Sequence, residues 1–318
     1  MKTWFFNADF EKSLFESPFE PFQSLALNQE FEYLINYLHP DDQIYTLKNY
    51  DDEFSYRFEK ITGKSFKTTQ DKKNVQAWGQ NYNVDVRVKE LQSKTILLKF
   101  KDLGLIQHEV QLIDHPRELE EGYIYKFPYS FSGLGHYQYP QDKTKCESAL
   151  KNHLLIKEKK LNRVSDFSTL IENNQVLCCY ENFVDRRFQY KGTRITPENP
   201  VKSQHELYQK MLKEVFQLIR FYPGVCSLDS FYYLEDEQVK LQPISEINMR
   251  KSMGYFTYRF KEKYFPNEQY VHFLLSTKKL KTENSSQVFS LSPENNKFQA
   301  YFLVGSNSDQ LDELAQHY

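Results

Sequence analysis

An acid, an amide and a base stand at alternate positions in the most chemically suggestive stretch of this sequence. Glu246, Asn248 and Arg250 alternate with Ile247 and Met249 in the stretch 242–250, which follows the strand-like run 239–241. Because alternate side chains of an extended segment lie on one face, we expect a carboxylate, a carbonyl oxygen and a guanidinium in a row. Such oxygens suit Mg²⁺, and arginine can bind a phosphate through two parallel hydrogen bonds. The stretch indicates a metal–nucleotide site, and an exposed edge strand with a polar outer face explains it equally well.

A lysine at the end of a predicted strand precedes a loop that contains serine and glycine. Lys126 ends the run 122–126, and Ser132, Gly133 and Gly135 follow. Glycine lets backbone amides surround a phosphate, and lysine supplies a point charge for its oxygens. The spacing matches neither a Walker loop nor a dinucleotide-binding fingerprint. From these residues alone, an ordinary hairpin turn is favoured by roughly two to one.

A further carboxylate lies on the strand that is predicted to pair with the Glu246 segment. Asp229 falls in the run 226–234, which forms a predicted hairpin with 239–247. Carboxylates on two antiparallel neighbours can converge on one metal ion. The alternative is an aspartate that caps the turn after Pro223 and Gly224.

Helix-like and strand-like patterns divide the chain into two regions that would position these residues. Over roughly the first ninety residues they alternate, with strands at 2–6 and 43–47 and helices at 22–39 and 54–61, which predicts a small open α/β lobe. From residue 107 the chain is rich in strands, predicted at 108–113, 122–126, 176–180, 188–195, 226–234, 239–247, 270–275 and 299–304. Helices are predicted at 94–103, 148–158 and 309–316, and the clearest one follows the capping box of Ser203 and Glu206.

Composition excludes several classes of protein. The 318 residues include 41 basic and 43 acidic side chains, so bulk charge favours neither a nucleic-acid nor an acidic-membrane partner. No apolar run approaches the ~20 residues that span a bilayer. The first residues turn acidic too early for a signal peptide, and four cysteines without metal-ligand spacing are typical of reduced thiols. We therefore expect a cytoplasmic protein.

The order of these motifs resembles the ATP-grasp superfamily, whose members mostly join a carboxylate to an amine through an acyl-phosphate. The resemblance covers roughly residues 93–254, and more loosely the whole chain. The tail Ser252-Met253-Gly254 resembles the one that follows this motif in an uncharacterised bacterial branch, as do Trp78-Gly79 and Phe6-Asn7.

The resemblance implies a role for each matching residue. Asp229, Glu246 and Asn248 match metal ligands, and Arg250 matches the arginine that stabilises the transferred phosphoryl group. The positions that match nucleotide contacts are Lys94, Lys126, Ser132, Gly133, Gly135, Glu181, Phe183 and Asp185. Of these, Glu181 and Phe183 would lie on the hinge strand that binds adenine through backbone groups, with Asp185 near the ribose. The sequence departs from the family in reading Glu181-Asn182-Phe183 where Glu-Pro-Trp is frequent.

The resemblance also implies an α/β (α+β) architecture in three parts. These are an N-terminal open α/β lobe over 1–92, a central ATP-grasp subdomain with the glycine-rich loop over 93–180, and a C-terminal antiparallel-sheet subdomain over 181–318. The implied activity is an ADP-forming ligation that uses ATP and Mg²⁺, with Mn²⁺ as a second suitable metal. The partners would be a small-molecule carboxylate and an amine, amino acids or peptides among them, and superfamily habit suggests a homodimer.

Two other functions use the same nucleotide site. A kinase would phosphorylate a small acceptor without a second, amine-dependent step, and a catalytically silent protein would only bind the nucleotide. The substrates themselves carry no generic sequence signature. An aromatic cluster near the loop either lines an apolar substrate pocket or packs in the core, and it comprises Phe127, Tyr129, Phe131, Tyr137 and Tyr139.

Overall fold

The computed structural model describes residues 1–7, 10–14, 26–81, 84–130, 135–185, 189–201, 205–279 and 287–316. Within these ranges the strands form three sheets, which follow one another along the chain. The predicted loop residues Phe131, Ser132 and Gly133 lie outside the described residues, as does Ser203 of the predicted capping box. No helix in the described ranges has the length and apolar character needed to cross a membrane.

The first sheet is parallel and matches the predicted open α/β lobe. Its strands are β1 (Thr3–Phe5), β2 (Gln43–Tyr45), β3 (Thr68–Thr69) and β4 (Val75–Ala77), in the order β3-β2-β1-β4. Helices α1 (Phe10–Ser13), α2 (Ala26–Phe31), α3 (Leu34–Leu38) and α4 (Asp52–Thr62) accompany them. The carboxylate of Asp51 caps α4 by accepting from the Phe54 amide at 2.7 Å, and Gly63 ends it at φ 68°.

The second sheet is small and antiparallel, in the order β5-β8-β6-β7. After helices α5 (Val86–Gln92) and α6 (Ile96–Asp102) come β5 (Val110–Ile113), a 3-10 turn (Pro116–Glu118), β6 (Tyr123–Lys126), β7 (His136–Gln138), α7 (Lys143–Leu150) and β8 (Leu155–Lys159). The predicted helix over 148–158 is wrong, because its second half is strand β8. The first four residues of β8 are all buried, and an unbroken buried run gives no periodicity that distinguishes strand from helix.

The third sheet has eight strands among the described residues, in the order β13-β12-β9-β10-β11-β14-β16-β15, and its neighbouring strands run antiparallel. In chain order its elements are β9 (Asn162–Glu172), β10 (Gln175–Val184), β11 (Tyr190–Ile195), α8 (Glu206–Ile219), β12 (Val225–Glu235), β13 (Gln238–Asn248), α9 (Met253–Tyr264), β14 (Tyr270–Ser276), β15 (Val288–Ser290), β16 (Gln299–Gly305) and α10 (Ser308–Gln316). An antiparallel sheet was expected over 181–318, and the observed one also includes β9 and most of β10, which precede residue 181. The predicted hairpin of β12 and β13 lies at one edge.

Two apolar clusters attach the helices to the third sheet. Helix α8 buries Met211, Val215 and Ile219 in one cluster with residues of β9, β12 and β13. Helix α9 belongs to the other, in which the rings of Phe260 and Tyr37 meet edge to face at 5.6 Å. Since Tyr37 lies on α3, this contact fixes the first lobe against the third sheet. The ends of β1 and β4 are thereby brought beside the β12–β13 hairpin.

Candidate active site

Two carboxylates face each other across the β12–β13 hairpin. Asp229 and Glu246 are direct register partners, so their side chains lie on the same face of the sheet. Asn248 pairs with Ser227 on the same two strands, and its Nδ2 donates to Asp229 Oδ2 at 3.0 Å. All three predicted metal ligands line one cavity. The structure therefore brings together the oxygen donors that the alternation and the hairpin predicted.

Hydrogen bonds from the neighbouring strands hold Asp229 in place. Ser168 on β9 donates its hydroxyl to Asp229 Oδ1 at 2.6 Å. The amide of Asn182 on β10 in turn donates to Ser168 Oγ at 2.5 Å. Because β10, β9 and β12 are adjacent in the sheet, this chain of bonds crosses three strands. It fixes the carboxylate with its oxygens toward the cavity face.

The electrostatics of the pair suit a cation. Burial, and then the neighbouring charge of Glu246, raise the pKa of Asp229 to about 6, although Ser168, Arg250 and Asn248 act in the opposite direction. A divalent cation between the two carboxylates would offset both the cost of burying the Asp229 charge and its repulsion by Glu246. Among the described residues no group of three His, Cys, Asp or Glu side chains has metal-binding geometry, and the side-chain oxygen beside this pair that the sequence predicted as a third ligand is that of Asn248. This donor set is all oxygen, which is the preference of Mg²⁺.

Two buried lysines approach the carboxylates from the central part of the chain. Lys94 donates to Glu246 Oε1 at 2.6 Å and to the Ser130 carbonyl at 3.0 Å. Lys126, at the end of β6, lines the cavity and is bonded to Glu158 of β8. Both lysines are only 3% exposed. Lys94 is thus held by a carboxylate of the Asp229–Glu246 pair itself, and Lys126 by Glu158.

The ion pair of Lys126 extends to a buried histidine. His108 Nε2 lies 3.4 Å from Glu158 Oε1, whereas Lys126 is bonded to the other carboxylate oxygen. Burial lowers the pKa of Lys126, and Glu158 opposes that effect. Burial alone would raise the pKa of Glu158, but Lys126 and His108 outweigh it and hold that pKa below its usual range. The sequence did not reveal Glu158, because its segment was predicted to be helical.

Arg250 is held by the N-terminal lobe. Its Nε is bonded to Glu11 Oε1, and its Nη2 lies 3.5 Å from Asn248 Oδ1. The same Glu11 oxygen accepts from Gln92 Nε2 at 2.9 Å. Although burial works against the charged form, Glu11 raises the pKa of Arg250 above its usual value. The guanidinium is therefore charged and oriented, and no local pattern could have indicated a partner 239 residues away.

The cavity has a volume of about 410 Å³ and a polar and an apolar side. Its charged and polar lining includes Lys126, His136, Arg163, Asp166, Ser168, Asn182, Asp229, Glu246, Asn248 and Arg250. The sequence reasoning missed Arg163, Asp166 and Ser168, which lie on β9. Asp166 and Ser168 are two positions apart, as Glu246 and Asn248 are, so the same alternation of polar side chains would have identified them as candidates. The apolar lining includes Phe6, Leu27, Phe31, Trp78, Tyr180, Met253 and Phe298.

The described end of the glycine-containing loop is fixed next to this cavity. The Gly135 carbonyl accepts from the Phe127 amide at 3.3 Å, and Gly135 has φ 78°. A Cβ at this position would lie 2.9 Å from the Phe127 ring, so glycine is required there. The next residue, His136, lines the cavity and pairs in register with Lys126.

The prediction that β10 is an adenine-binding hinge is wrong. β10 is an interior strand whose neighbours are β9 and β11, and Glu181 is the register partner of Phe167 on one side and Arg194 on the other. Ladder hydrogen bonds occupy the backbone of such a strand, which leaves none for adenine. The chain passes from the second sheet to the third at the end of β8 and the start of β9. A sequence pattern alone did not give the order of strands in the sheet.

The side chains of the hinge prediction also face away from the cavity. Tyr180 and Asn182 line it, whereas Glu181 and Phe183 alternate with them and do not. The Phe183 ring lies 4.7 Å from that of His272, on the other face of the sheet. Asp185 lies 3.2 Å from Lys191 Nζ and is not among the lining residues.

The aromatic residues near the glycine-containing loop mostly pack in a core of their own. Phe127, Tyr137 and Tyr139 are partly buried against the cluster that contains Cys146 and Leu150. They do not line the cavity, so the core-packing alternative holds for these three rings. The aromatic residues that do line it come from other parts of the chain.

Comparisons with known proteins identify the fold. No protein-family model and no curated protein sequence matches this chain. The N5-carboxyaminoimidazole synthetase from Staphylococcus aureus, complexed with ADP, matches with a TM-score of 0.59 at 10% identity over 91% of this chain and 95% of that chain. The N5-carboxyaminoimidazole ribonucleotide synthetase from Thermus thermophilus gives 0.52 at 13% identity over 100% and 97%. Phosphoribosylamine–glycine ligase from Thermotoga maritima gives 0.52 at 12% identity over 91% and 94%. The chain therefore has the ATP-grasp fold that its motifs predicted.

Proposed function

We propose that the protein is an ATP-dependent ligase that joins a carboxylate to an amine and releases ADP and phosphate. The observation that carries the proposal is the register pair of Asp229 and Glu246, which faces one cavity together with Lys126. The ADP bound in the similar Staphylococcus aureus synthetase supports a nucleotide site in this fold. A cytoplasmic location and a homodimer belong to the same proposal, by analogy with the superfamily.

Three side chains would hold the metal. Asp229, Glu246 and Asn248 offer oxygens on one face of the hairpin, and the raised pKa of Asp229 indicates a need for positive charge there. Bound Mg²⁺, or Mn²⁺, would neutralise charge on the phosphate oxygens. Lys94 now bonds to Glu246, and its ammonium would compensate the same negative charge from the other side.

The phosphates would lie toward Lys126 and the loop that ends at Gly135. Glu158 fixes the Lys126 ammonium at the end of β6, so its charge is oriented before the nucleotide binds. Ser132 and Gly133 would belong to the same loop. For the nucleoside we propose the start of β9 in place of β10, since Arg163 and Asp166 line the cavity directly after β8. Asp166 offers a carboxylate to ribose hydroxyls, and Arg163 lies 2.7 Å from it.

The reaction would proceed in two steps. An oxygen of the substrate carboxylate attacks the γ-phosphorus, the bond to the β-phosphate oxygen breaks, and ADP leaves. The amine then attacks the activated carbonyl, phosphate leaves with the electrons of the C–O bond, and the nitrogen loses a proton. Arg250 carries a permanent charge for the transferred phosphoryl group, and a closed site would keep water from the acyl-phosphate.

Product release distinguishes this activity from its alternatives. A ligase releases ADP only when both a carboxylate and an amine are supplied, whereas a kinase needs the acceptor alone and a silent protein releases none. We expect Glu246→Gln to abolish ADP release while the protein stays folded. The matched control is Glu235→Gln, which changes a carboxylate at the far end of the same hairpin, ion-paired there with Lys240. Full activity in Glu246→Gln would remove Glu246 from the metal site.

A further inference from the structure

The apolar side of the cavity lies where a parallel sheet offers a binding crevice. In the order β3-β2-β1-β4, the chain adds strands on one side of β1 and then crosses to the other side for β4. Ligands of open α/β sheets bind outside the carboxyl ends of the strands at such a reversal. Phe6 and Asn7 follow β1, Trp78 and Gly79 follow β4, and all four line the cavity.

Four aromatic side chains that contact one another line this crevice, and we name them the aromatic wall: Phe6, Phe31, Trp78 and Phe298. The first three are buried and reach the cavity only with their edges, whereas Phe298 is half-buried. The rings of Phe6 and Trp78 stack at 5.3 Å with an interplanar angle of 19°. Phe31 lies 6.4 Å from Phe6 and 5.7 Å from Phe298. The wall joins two lobes, because Phe298 directly precedes β16 of the third sheet.

Polar groups hold the Trp78 end of the aromatic wall in place. Asn7 Oδ1 accepts from the Gly79 amide at 2.8 Å, and its Nδ2 donates to the Gln80 carbonyl at 2.7 Å. The amide of Lys251 donates to the Gly79 carbonyl at 3.3 Å, and Lys251 Nζ lies 5.7 Å from the Trp78 ring centroid. Arg250 and Lys251 both line the cavity, so two cations share it with the aromatic wall and the carboxylate pair.

We propose that the substrate is an aromatic carboxylic acid whose ring packs on the aromatic wall. Its carboxylate would lie at Arg250 and Lys251, within reach of the phosphoryl group. An aliphatic acid would leave the half-buried Phe298 ring uncovered, and the one hydrogen-bonding group that these four rings offer a polar substrate is Nε1 of Trp78. This inference rests on the proposed ligase, because it assigns the carboxylate substrate of that reaction.

The test compares two acids that differ only by a phenyl ring. With Mg²⁺ and a non-hydrolysable ATP analogue present, 3-phenylpropionate and propionate are titrated by calorimetry. Burial of one ring gives an expected preference of about ten- to a hundredfold for the phenyl compound. Equal affinities, or tighter binding of propionate, would overturn the inference.

Substitution of the half-buried Phe298 tests whether the ring of the bound acid lies on the aromatic wall. Phe298→Ala should reduce the preference for 3-phenylpropionate about five- to tenfold. Phe265→Ala is the matched control, since Phe265 is also half-buried but stacks on Phe302 outside the cavity. If Phe298→Ala fails to fold, Phe298→Leu keeps most of the apolar volume and should still weaken the preference. An unchanged preference in a folded Phe298 variant, or an equal loss in the control, would contradict the aromatic wall as the site.

A separate ADP titration keeps this inference distinct from the proposed function. ADP binding without any preference for the phenyl compound refutes the aromatic substrate and leaves the ligase intact. Preference for the phenyl compound without ADP binding refutes the ligase and retains the aromatic site.

Discussion

Asp229→Asn is expected to make the protein more stable and at the same time unable to bind metal. Burial and the charge of Glu246 raise the pKa of Asp229 from its ordinary 3.8 to about 6, so the ionised carboxylate is unfavourable in the folded protein. The asparagine amide has the same shape but carries no charge. Its oxygen can still accept from Ser168, whereas its NH2 group would face the donating Asn248 amide and cannot accept that bond.

The expected gain in unfolding free energy follows from the difference between the ordinary and the raised pKa of Asp229. The span from 3.8 to about 6 corresponds to about 3 kcal/mol at 1.36 kcal/mol per pH unit. Loss of the hydrogen bond that Asn248 donates subtracts about 1 kcal/mol. We therefore expect the variant to exceed the native protein by about 1–2 kcal/mol in unfolding free energy at pH 7.

The raised pKa of Asp229 also determines how the stability difference between the two proteins changes with pH. Between about pH 4 and pH 6 the folded protein binds more protons at Asp229 than the unfolded chain, so native stability falls as the pH rises through that window. The advantage of Asp229→Asn should be largest above pH 6 and should shrink toward pH 4. Urea unfolding of both proteins at pH 4 and pH 7 measures it. A variant less stable than the native protein at pH 7, or a difference independent of pH, would refute the reasoning.

Three further predictions concern the residues around the site. Glu158→Gln leaves the Lys126 ammonium buried without its partner, so the unfolding free energy measured by urea titration should fall by about 3 kcal/mol. The double variant Glu158→Gln/Lys126→Met should lose less stability than the sum of the two single variants, and strict additivity would contradict an interaction between the two side chains. Glu11→Gln should lower kcat roughly tenfold with little change in KM for ATP, because it removes the charge that orients Arg250, and an unchanged kcat would show that Arg250 needs no such support. His136 should titrate well below the ordinary 6.5, because burial and then Lys126 lower its pKa; an NMR titration midpoint at or above 6.5 would contradict this.

Part of the Asp229–Glu246 arrangement was predictable from the sequence, because the hairpin and the alternation along β13 are local patterns. Glu246 and Asn248 share a face through strict alternation. The register set by the turn between β12 and β13 extends only to the pair Phe231–Gln242, and a register shift between Asp229 and Phe231 then places Asp229 opposite Glu246, which no local pattern indicated. The small parallel lobe was predictable for a similar reason, since its strands and helices each carry their own pattern.

The other parts of the site depend on contacts between distant segments. Glu11 reaches Arg250 only because the first lobe packs on α9, and no pattern near either residue encodes that contact. The hinge prediction failed because the position of β10 inside the sheet depends on strand order, and a short apolar strand looks the same at the edge as in the interior. The aromatic wall likewise combines residues from both ends of the chain.

The most direct test of the account is a crystal structure of the protein with Mg²⁺ and a non-hydrolysable ATP analogue. We predict a metal ion at about 2.0–2.2 Å from carboxylate oxygens of both Asp229 and Glu246, with a phosphate oxygen within hydrogen-bond distance of Lys126 Nζ. A nucleotide bound outside this cavity, or a metal ion that contacts neither carboxylate, would contradict the proposed active site.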